Sequence, residues 1–151
     1  NRRMLKEIVR FKKLNEKAIV PTYGSAFSAG ADLYACLEEN LNIEAGETVL
    51  VKTGLAMEIP EGYAGLIYAR SGLATKKGLA PANKVGVIDS DYRGEIMVAL
   101  HNHSKTSQQI EPQERIAQLV ITPFLQADFE EVQTLGETER GTGGFGSTGR
   151  K

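Results

Sequence analysis

Short apolar runs with a period of two occupy most of this chain of 151 residues. Between residues 41 and 59, Val49, Val51, Met57 and Ile59 alternate with polar or small residues, as in a half-buried β-strand. Further extended runs cover residues 7–14, 32–37, 63–69, 85–89, 95–101, 116–124 and 129–133. Because turn residues separate these closely spaced runs, the pattern predicts a closed or two-sheet all-β fold rather than alternating strands and helices.

One stretch is typical of a helix. It runs from Ser71, a residue type that caps helices, to Lys76, Lys77 and Gly78. We therefore expect one helix of about two turns within the all-β domain.

The last fifteen residues differ from the rest of the chain. After Gly136 the apolar pattern stops, and five glycines fall between residues 140 and 149. Such a segment has little apolar surface with which to build a core. We predict a domain over residues 1–136 and a flexible glycine-rich C-terminal arm over residues 137–151.

Charge and composition exclude several classes of function. The 18 Lys and Arg residues nearly balance the 19 Asp and Glu residues, so no strong overall field attracts nucleic acid or a membrane. No apolar run is long enough to span a bilayer, and the first residues lack the apolar stretch of a signal peptide. A single cysteine fits a reducing compartment. We expect a cytoplasmic protein, or a nuclear or organellar one if the source is eukaryotic, with no nucleic-acid or membrane partner.

The glycine-rich arm contains matches to the dinucleotide-binding fingerprint, but these are spurious. The fingerprint requires a strand before it and a helix after it, and only Arg150 and Lys151 follow the second match. Glycines still let backbone N–H groups approach phosphate oxygens, and Arg140 and Ser147 add donors. Phe145 is suited to stacking on a base. The alternative is an ordinary disordered Gly/Ser tail.

Two segments in the body of the chain could carry chemistry. In 69–74, Arg70 and Ser71 stand at the predicted helix start and suit an anion, although Ser71 could simply be the N-cap. In 86–96, which we predict to be a hairpin, Asp89 shares a strand face with apolar residues. Partial desolvation there would suit Asp89 to act as a base. For Asp91, turn formation or pairing with the nearby Arg93 is the better interpretation.

Other polar residues favour structural roles. Asp32 is either a turn acid or a site acid, and the sequence favours the turn. Gln118 is either a surface residue or a phosphate ligand. His101 and His103 are two residues apart on a strand, but with no third ligand nearby they are better interpreted as solvent-facing. The basic first seventeen residues resemble a strand with a solvated face more than a nucleic-acid arm.

Five segments, taken in order, closely resemble the five motifs of the trimeric dUTPases. They are AGADL at 29–33, ARSGLA at 69–74, GVIDSDYRGEI at 86–96, RIAQL at 115–119 and RGTGGFGSTG at 140–149. Five ordered motifs are far more specific than any one of them. The resemblance implies a jelly-roll-like β fold and a homotrimer whose active sites combine motifs of more than one subunit, with the C-terminal arm as a lid. It also implies dUTP as substrate, cleaved to dUMP and pyrophosphate.

The resemblance assigns roles residue by residue. Asp89 activates or positions the water that attacks the α-phosphorus, and Tyr92 packs against the deoxyribose. The uracil edge meets Asn83, Val87, Ile88 and Met97, and the phosphates meet Arg70, Ser71, Gly72 and Gln118. In the arm, Arg140 lies near the γ-phosphate and Phe145 over uracil, with Gly146 and Ser147 completing the substrate contacts. Asp32 is a supporting acid near the triphosphate, and Mg²⁺ is held through substrate phosphates and water rather than by direct protein ligands.

Three other interpretations remain open from the sequence. A dCTP deaminase, alone or combined with dUTP hydrolysis, shares this fold and a triphosphate substrate. A regulatory module would bind a nucleotide without turnover. A single-strand nucleic-acid binder would use Phe145 and the basic N-terminus, and its affinity would fall steeply with salt.

Overall fold

A computed structural model describes residues 5–146 of the chain. Within this range the strands are β1 (Arg10–Lys13), β2 (Thr22–Tyr23), β3 (Ala31–Tyr34), β4 (Leu41–Ile43), β5 (Thr48–Glu58), β6 (Tyr63–Tyr68), β7 (Leu79–Pro81), β8 (Gly86–Ile88), β9 (Glu95–Asn102), β10 (Gln108–Ile110) and β11 (Arg115–Pro123). One helix, α1 (Ser71–Lys77), lies between β6 and β7. No helix in this range is long and apolar enough to cross a membrane.

The strands form antiparallel sheets, which confirms the predicted all-β, jelly-roll-like fold with one short helix. One sheet has the order β1-β5-β9-β7 and the other the order β2-β3-β11-β6-β8. A separate pair joins β10 to β4. Several neighbours in the sheets are far apart in sequence, as in β3 beside β11, which is the crossing pattern of a two-sheet fold.

The core contains the apolar face of each alternating strand. In β9, Ile96, Val98 and Leu100 are buried while their neighbours are more exposed. Val51 and Leu55 of β5 are fully buried in the same core. The period of two therefore predicts which side chains enter the core.

The predicted strand at 129–133 is wrong. This segment has no regular structure, Phe129 is 93% exposed, and Val132 is half-exposed. Alternation makes a strand only where a neighbouring strand accepts its hydrogen bonds, and this segment has no such neighbour in the described part of the chain. Conversely, the short strands β2, β7 and β10 do not appear among the predicted runs, because two or three residues are too few to show a period.

Helix α1 has the predicted extent but a different beginning. Arg70 is the N-cap, with no side-chain capping bond, and Ser71 is the first helical residue. The alternative role of Ser71 as an N-cap is therefore wrong. Gly78 ends the helix with a φ of 66°, a left-handed conformation that glycine adopts without a steric penalty.

Candidate active site

A cleft of about 320 Å³ opens beside β8. Strand β8 pairs with β6 in the five-stranded sheet, whereas β9 pairs with β5 and β7 in the other sheet. The predicted hairpin over 86–96 is therefore wrong, because residues 89–94 connect two sheets instead of two paired strands. The separation of β8 from β9 leaves the cleft, which is lined by Leu50, Ile67, Pro81, Asn83, Gly86, Val87, Ile88, Asp89, Tyr92, Glu95, Ile96, Met97, Val98 and Ala99.

The outer edge of β8 is the polar feature of this cleft. In the described part of the chain β8 is the last strand of its sheet, so one edge has no strand partner. Such an edge presents backbone N–H and C=O groups in a row. Val87, 64% exposed, and Met97, 38% exposed, supply apolar surface beside it. The cleft is therefore suited to a flat ring that carries hydrogen-bonding groups along one edge.

Asp89 and Tyr92 stand in the loop that follows β8. The Tyr92 N–H donates to the Asp89 carbonyl at 3.1 Å, and the Tyr92 hydroxyl donates to the Glu95 carbonyl at 2.9 Å. Asp89 is exposed in the single chain, so the predicted partial desolvation is absent from the protomer. A Cβ at Gly94 would collide with the Tyr92 ring, so only glycine leaves room for the ring there.

The neighbouring acid has a local role. Asp91 is an exposed turn residue, which agrees with turn formation, one of the two roles expected from the sequence. Arg93 Nη1 donates to the Ser90 carbonyl at 2.6 Å and to the Tyr92 carbonyl at 3.2 Å. No ion pair joins Asp91 and Arg93 in the described structure. The guanidinium therefore satisfies backbone carbonyls of the turn.

A second polar cluster lies around Asp32. Arg70 Nε donates to Asp32 Oδ1 at 3.0 Å, and Arg115 Nε lies 3.9 Å from Asp32 Oδ2. The Asp32 side chain is 15% exposed. Since Asp32 lies inside β3, its interpretation as a turn acid is wrong. Two guanidinium groups beside one carboxylate leave a net positive charge there, which is chemically suited to phosphate oxygens.

Gln118 connects three of the sequence motifs. Its Nε2 donates to the Ala69 carbonyl at 2.8 Å, and Gln118 is the partner of Asp32 in the β11–β3 register. A Cβ on Gly30 would collide with the Gln118 side-chain amide. The segments 29–33, 69–74 and 115–119 therefore meet at this side chain. Ser71 and Gly72 directly follow Arg70 of the Asp32 cluster in the sequence.

Asp89 and the Asp32 cluster lie toward opposite ends of β6. Gln118 is opposite Tyr68, at the end of β6 that leads to Arg70, whereas Ile88 is opposite Gly65, so that Asp89 follows beside Ala64. At about 3.3 Å per residue, the level of Asp89 is about 13 Å from the level of Gln118 along the strand. Moving along β8 from Gly86 to Asp89 leads away from Arg70 of the same chain.

The described part of the arm lies in solvent. Phe145 is fully exposed and has a φ of 50°, and Arg140 Nε donates to the Gly143 carbonyl at 2.6 Å. Gly146 is exposed as well. Neither of the two polar regions above includes these residues in the single chain. Ser147 falls outside the described residues.

The described residues 5–146 contain no cluster of metal ligands, because no group of three His, Cys, Asp or Glu side chains there could hold an ion. The rings of His101 and His103 meet edge to face with centroids 4.5 Å apart, and Thr48 Oγ1 lies 2.8 Å from His101 Nδ1. A hydrogen bond therefore already engages one imidazole.

Sequence reasoning missed the contribution of β5 to the site. Leu50 lines the cleft, and Thr53 and Gly54 contact the strand that bears Glu95 and Met97. The one available signal was Gly54 in the middle of an otherwise continuous strand pattern, which is typical of a β-bulge.

Comparison with known proteins agrees with this geometry. A sequence model of the dUTPase family matches residues 16–149. The chain belongs to the dUTPase family. It is 51% identical over 140 residues to a deoxyuridine 5'-triphosphate nucleotidohydrolase of Acinetobacter baumannii, with 92% of this chain and 93% of that protein covered.

Solved structures of other dUTPases share the fold. The dUTPase of Staphylococcus bacteriophage 80alpha with dUpNHpp superposes with a TM-score of 0.86 at 30% identity, over 96% of this chain and all of that one. A mutant dUTPase of the S. aureus phage phi11, described as coordinating a structural Mg(II) ion, gives a TM-score of 0.76 at 27% identity, over 85% of this chain and 98% of that one. Both the fold and the family predicted from the five motifs are therefore confirmed.

Proposed function

We propose that this chain hydrolyses dUTP to dUMP and pyrophosphate by attack of water on the α-phosphorus. The observation that supports this most directly is the unpaired edge of β8, which lines a cleft and is followed at once by Asp89. Family membership supports the same reaction. In a cell the reaction would supply dUMP for thymidylate synthesis and keep uracil out of DNA.

Recognition of the base is assigned to the cleft. Uracil carries donors and acceptors along one edge, and the backbone around Val87 and Ile88 would pair with them as a neighbouring strand does. Asn83 lies close by, with its Nδ2 only 3.3 Å from a Cβ built on Gly86, and Met97 lies on the opposite wall. Selectivity against thymine would come from steric exclusion of its methyl group, because attraction alone distinguishes one carbon by only about 1–3 kcal/mol.

The reaction is assigned to Asp89. Its exposed carboxylate follows directly after the base-pairing edge, where the sugar and α-phosphate would emerge from the cleft. It would orient a water molecule and accept its proton. Tyr92, fixed by the Glu95 carbonyl, would pack against the deoxyribose and leave no room for a 2'-hydroxyl.

The phosphates are assigned to Arg70, Ser71, Gly72 and Gln118 of a second copy of the chain. A nucleotide with its base on β8 and its sugar at Asp89 points its phosphates away from the Arg70 of the same protomer. Completing the site therefore requires a neighbouring subunit, which supports shared active sites; that the assembly is a homotrimer follows from the resemblance to the trimeric dUTPases. The arm residues Arg140, Phe145, Gly146 and Ser147 would close over the nucleotide, adding positive charge and excluding water.

The donor set fits a magnesium ion carried by the substrate. Arg70 and Arg115 already engage the Asp32 carboxylate, and no three acids converge in the described chain. Magnesium keeps several waters and binds mainly through substrate phosphates, where it neutralises charge on the triphosphate. Asp32 would hold water molecules of that ion while it orients Arg70.

Pyrophosphate release from a panel of deoxynucleoside triphosphates in the presence of magnesium tests this function. We expect release from dUTP and at least 100-fold less from dTTP, dCTP and UTP at equal concentration. Ammonia release from dCTP would instead indicate a deaminase, and binding of dUTP without product would indicate a regulatory module. Light scattering coupled to gel filtration should give three times the 16.4 kDa chain mass; a monomer with full activity would contradict the shared site.

A further inference from the structure

The start of β9 is attached to an irregularity in β5. Lys52 pairs with Met97, but the next pair is Ala56 with Glu95, so β5 has two more residues than β9 between these pairs. The extra length forms a bulge at Thr53 and Gly54, where Gly54 has a φ of 74°. A bulge changes the direction of a strand locally and frees backbone groups for other partners.

Side-chain hydrogen bonds use the groups that this bulge frees. Glu95 Oε2 accepts the Gly54 N–H at 2.9 Å, and Thr53 Oγ1 donates to the Ile96 carbonyl at 2.7 Å. Thr53 is buried, and its oxygen also accepts from the Leu55 N–H at 3.3 Å. Residues 95 and 96 are therefore fixed to β5 by side chains at the point where the sheet register changes.

Glu95, together with Gly94, also holds Tyr92. The carbonyl of Glu95 accepts the Tyr92 hydroxyl, and the ring lies against Gly94, where a Cβ would collide with it. Glu95 also lines the cleft together with Tyr92 and Asp89. A continuous series of contacts thus leads from the Gly54 amide through Glu95 to the ring that faces the sugar position.

Resting on the proposed function, we infer that Glu95 is a positioning residue, which with the Thr53–Gly54 bulge fixes the Tyr92 ring and thereby sets the preference for deoxyribo- over ribonucleotides. Glu95 touches neither the substrate nor the reacting atoms in this role. Its carboxylate fixes the residue whose carbonyl anchors the phenol. When the carboxylate is removed, the Gly54 amide loses its partner, Glu95 shifts, and the ring no longer excludes a 2'-hydroxyl as strictly.

Variants of the full chain test this inference with dUTP and UTP as substrates. For Glu95→Ala we expect the ratio of kcat/KM for dUTP to that for UTP to fall about three- to tenfold, the effect of one lost hydrogen bond. Glu95→Gln keeps an acceptor for the Gly54 amide and should retain the wild-type ratio. Glu58→Ala is the matched control. It removes an exposed carboxylate from β5, the strand that carries the bulge, and should also retain the wild-type ratio.

A second arm keeps the test independent of folding and of turnover. Tyr92→Phe removes the hydroxyl but leaves Glu95 in place, and it should lower the same ratio. Calorimetric affinities for non-hydrolysable dUTP and UTP analogues measure the sugar preference without turnover. If the wild-type protein showed no hydrolysis, the proposed function would be overturned, but the affinities would still test this inference. Wild-type sugar preference in folded Glu95→Ala or in Tyr92→Phe would overturn the inference. An equal loss in Glu95→Gln or Glu58→Ala would also overturn it.

Discussion

Asp32 Oδ1 accepts a hydrogen bond from Arg70 Nε at 3.0 Å, and this contact joins strand β3 to the N-cap of α1. Both side chains are largely shielded from solvent, with 15% and 27% of their surface exposed. A shielded charged hydrogen bond contributes more to stability than an exposed ion pair. The pair therefore has a structural role as well as its proposed role at the phosphates.

Replacement of Asp32 by Ala should lower the free energy of unfolding by about 1–3 kcal/mol, because the Arg70 guanidinium loses a shielded charged acceptor. The KM for dUTP should rise because Arg70 is no longer oriented. Chemical denaturation and steady-state kinetics measure the two effects. Glu38→Ala is the control, since it breaks the exposed Lys17–Glu38 pair and should cost at most about 1 kcal/mol. Equal effects of the two substitutions would contradict the structural role of Asp32.

Asp89→Asn should lower kcat for dUTP by at least about 100-fold, since an amide cannot accept the proton of the attacking water. Affinity for a non-hydrolysable dUTP analogue should change by less than about threefold, because the base-binding edge of β8 is intact. The matched control is Asp91→Asn, two residues further on in an exposed turn, which should keep kcat within about twofold. An active Asp89→Asn variant would remove this residue as the base.

Much of the fold was predictable because alternation reports burial directly. The odd-numbered residues from Val51 to Ile59 enter the core as the pattern requires. The pairing of strands was less accessible. Nearness in sequence favoured β8 with β9, yet β8 pairs with β6, because partner choice depends on packing between distant segments. The same limit explains the wrong strand at 129–133, where alternation exists without a neighbouring strand.

In the candidate site too, some features could be predicted from the sequence and others could not. Asp89 was identifiable from its local sequence and Tyr92 from the resemblance to dUTPases, and both lie beside one cleft. The contact of Gln118 with Ala69, in contrast, joins residues 49 positions apart, and only the resemblance to dUTPases predicted a shared role. The bulge that holds Glu95 left a single sequence signal, Gly54.

Gly30→Ala should affect substrate binding more than stability. The added Cβ would lie where the Gln118 side-chain amide now lies, and a flexible side-chain end can move away at little cost. The hydrogen bond from Gln118 to the Ala69 carbonyl would then be lost. We expect the KM for dUTP to rise about threefold or more and the free energy of unfolding to fall by less than about 1.5 kcal/mol. Gly136→Ala, with no atom near its Cβ, is the control. An unchanged KM would show that Gln118 does not contribute to binding.

Cys36 should react slowly with alkylating reagents. Burial raises the pKa of its thiol above the ordinary cysteine value, and the negative charges of Glu95 and Glu38 raise that pKa further. Only the thiolate reacts, so the rate with iodoacetamide at pH 8 should be lower than that of a free cysteine peptide and should level off at a higher pH than that of the peptide. Glu38→Gln removes one of these charges and should increase the rate modestly. A rate that stops increasing below pH 8.5 would contradict the raised pKa.

Truncation after Glu139 should impair turnover far more than folding. The described residues beyond it are largely exposed, and Arg140 bonds to Gly143 of the same segment, so their removal uncovers little of the core. The melting temperature should change by less than about 3 °C, whereas kcat/KM for dUTP should fall by at least about tenfold, because the cationic lid is lost. Phe145→Ala, in the intact chain, should reproduce part of the loss if the ring stacks on uracil. A large fall in melting temperature would show instead that the arm packs against the folded domain and stabilises it.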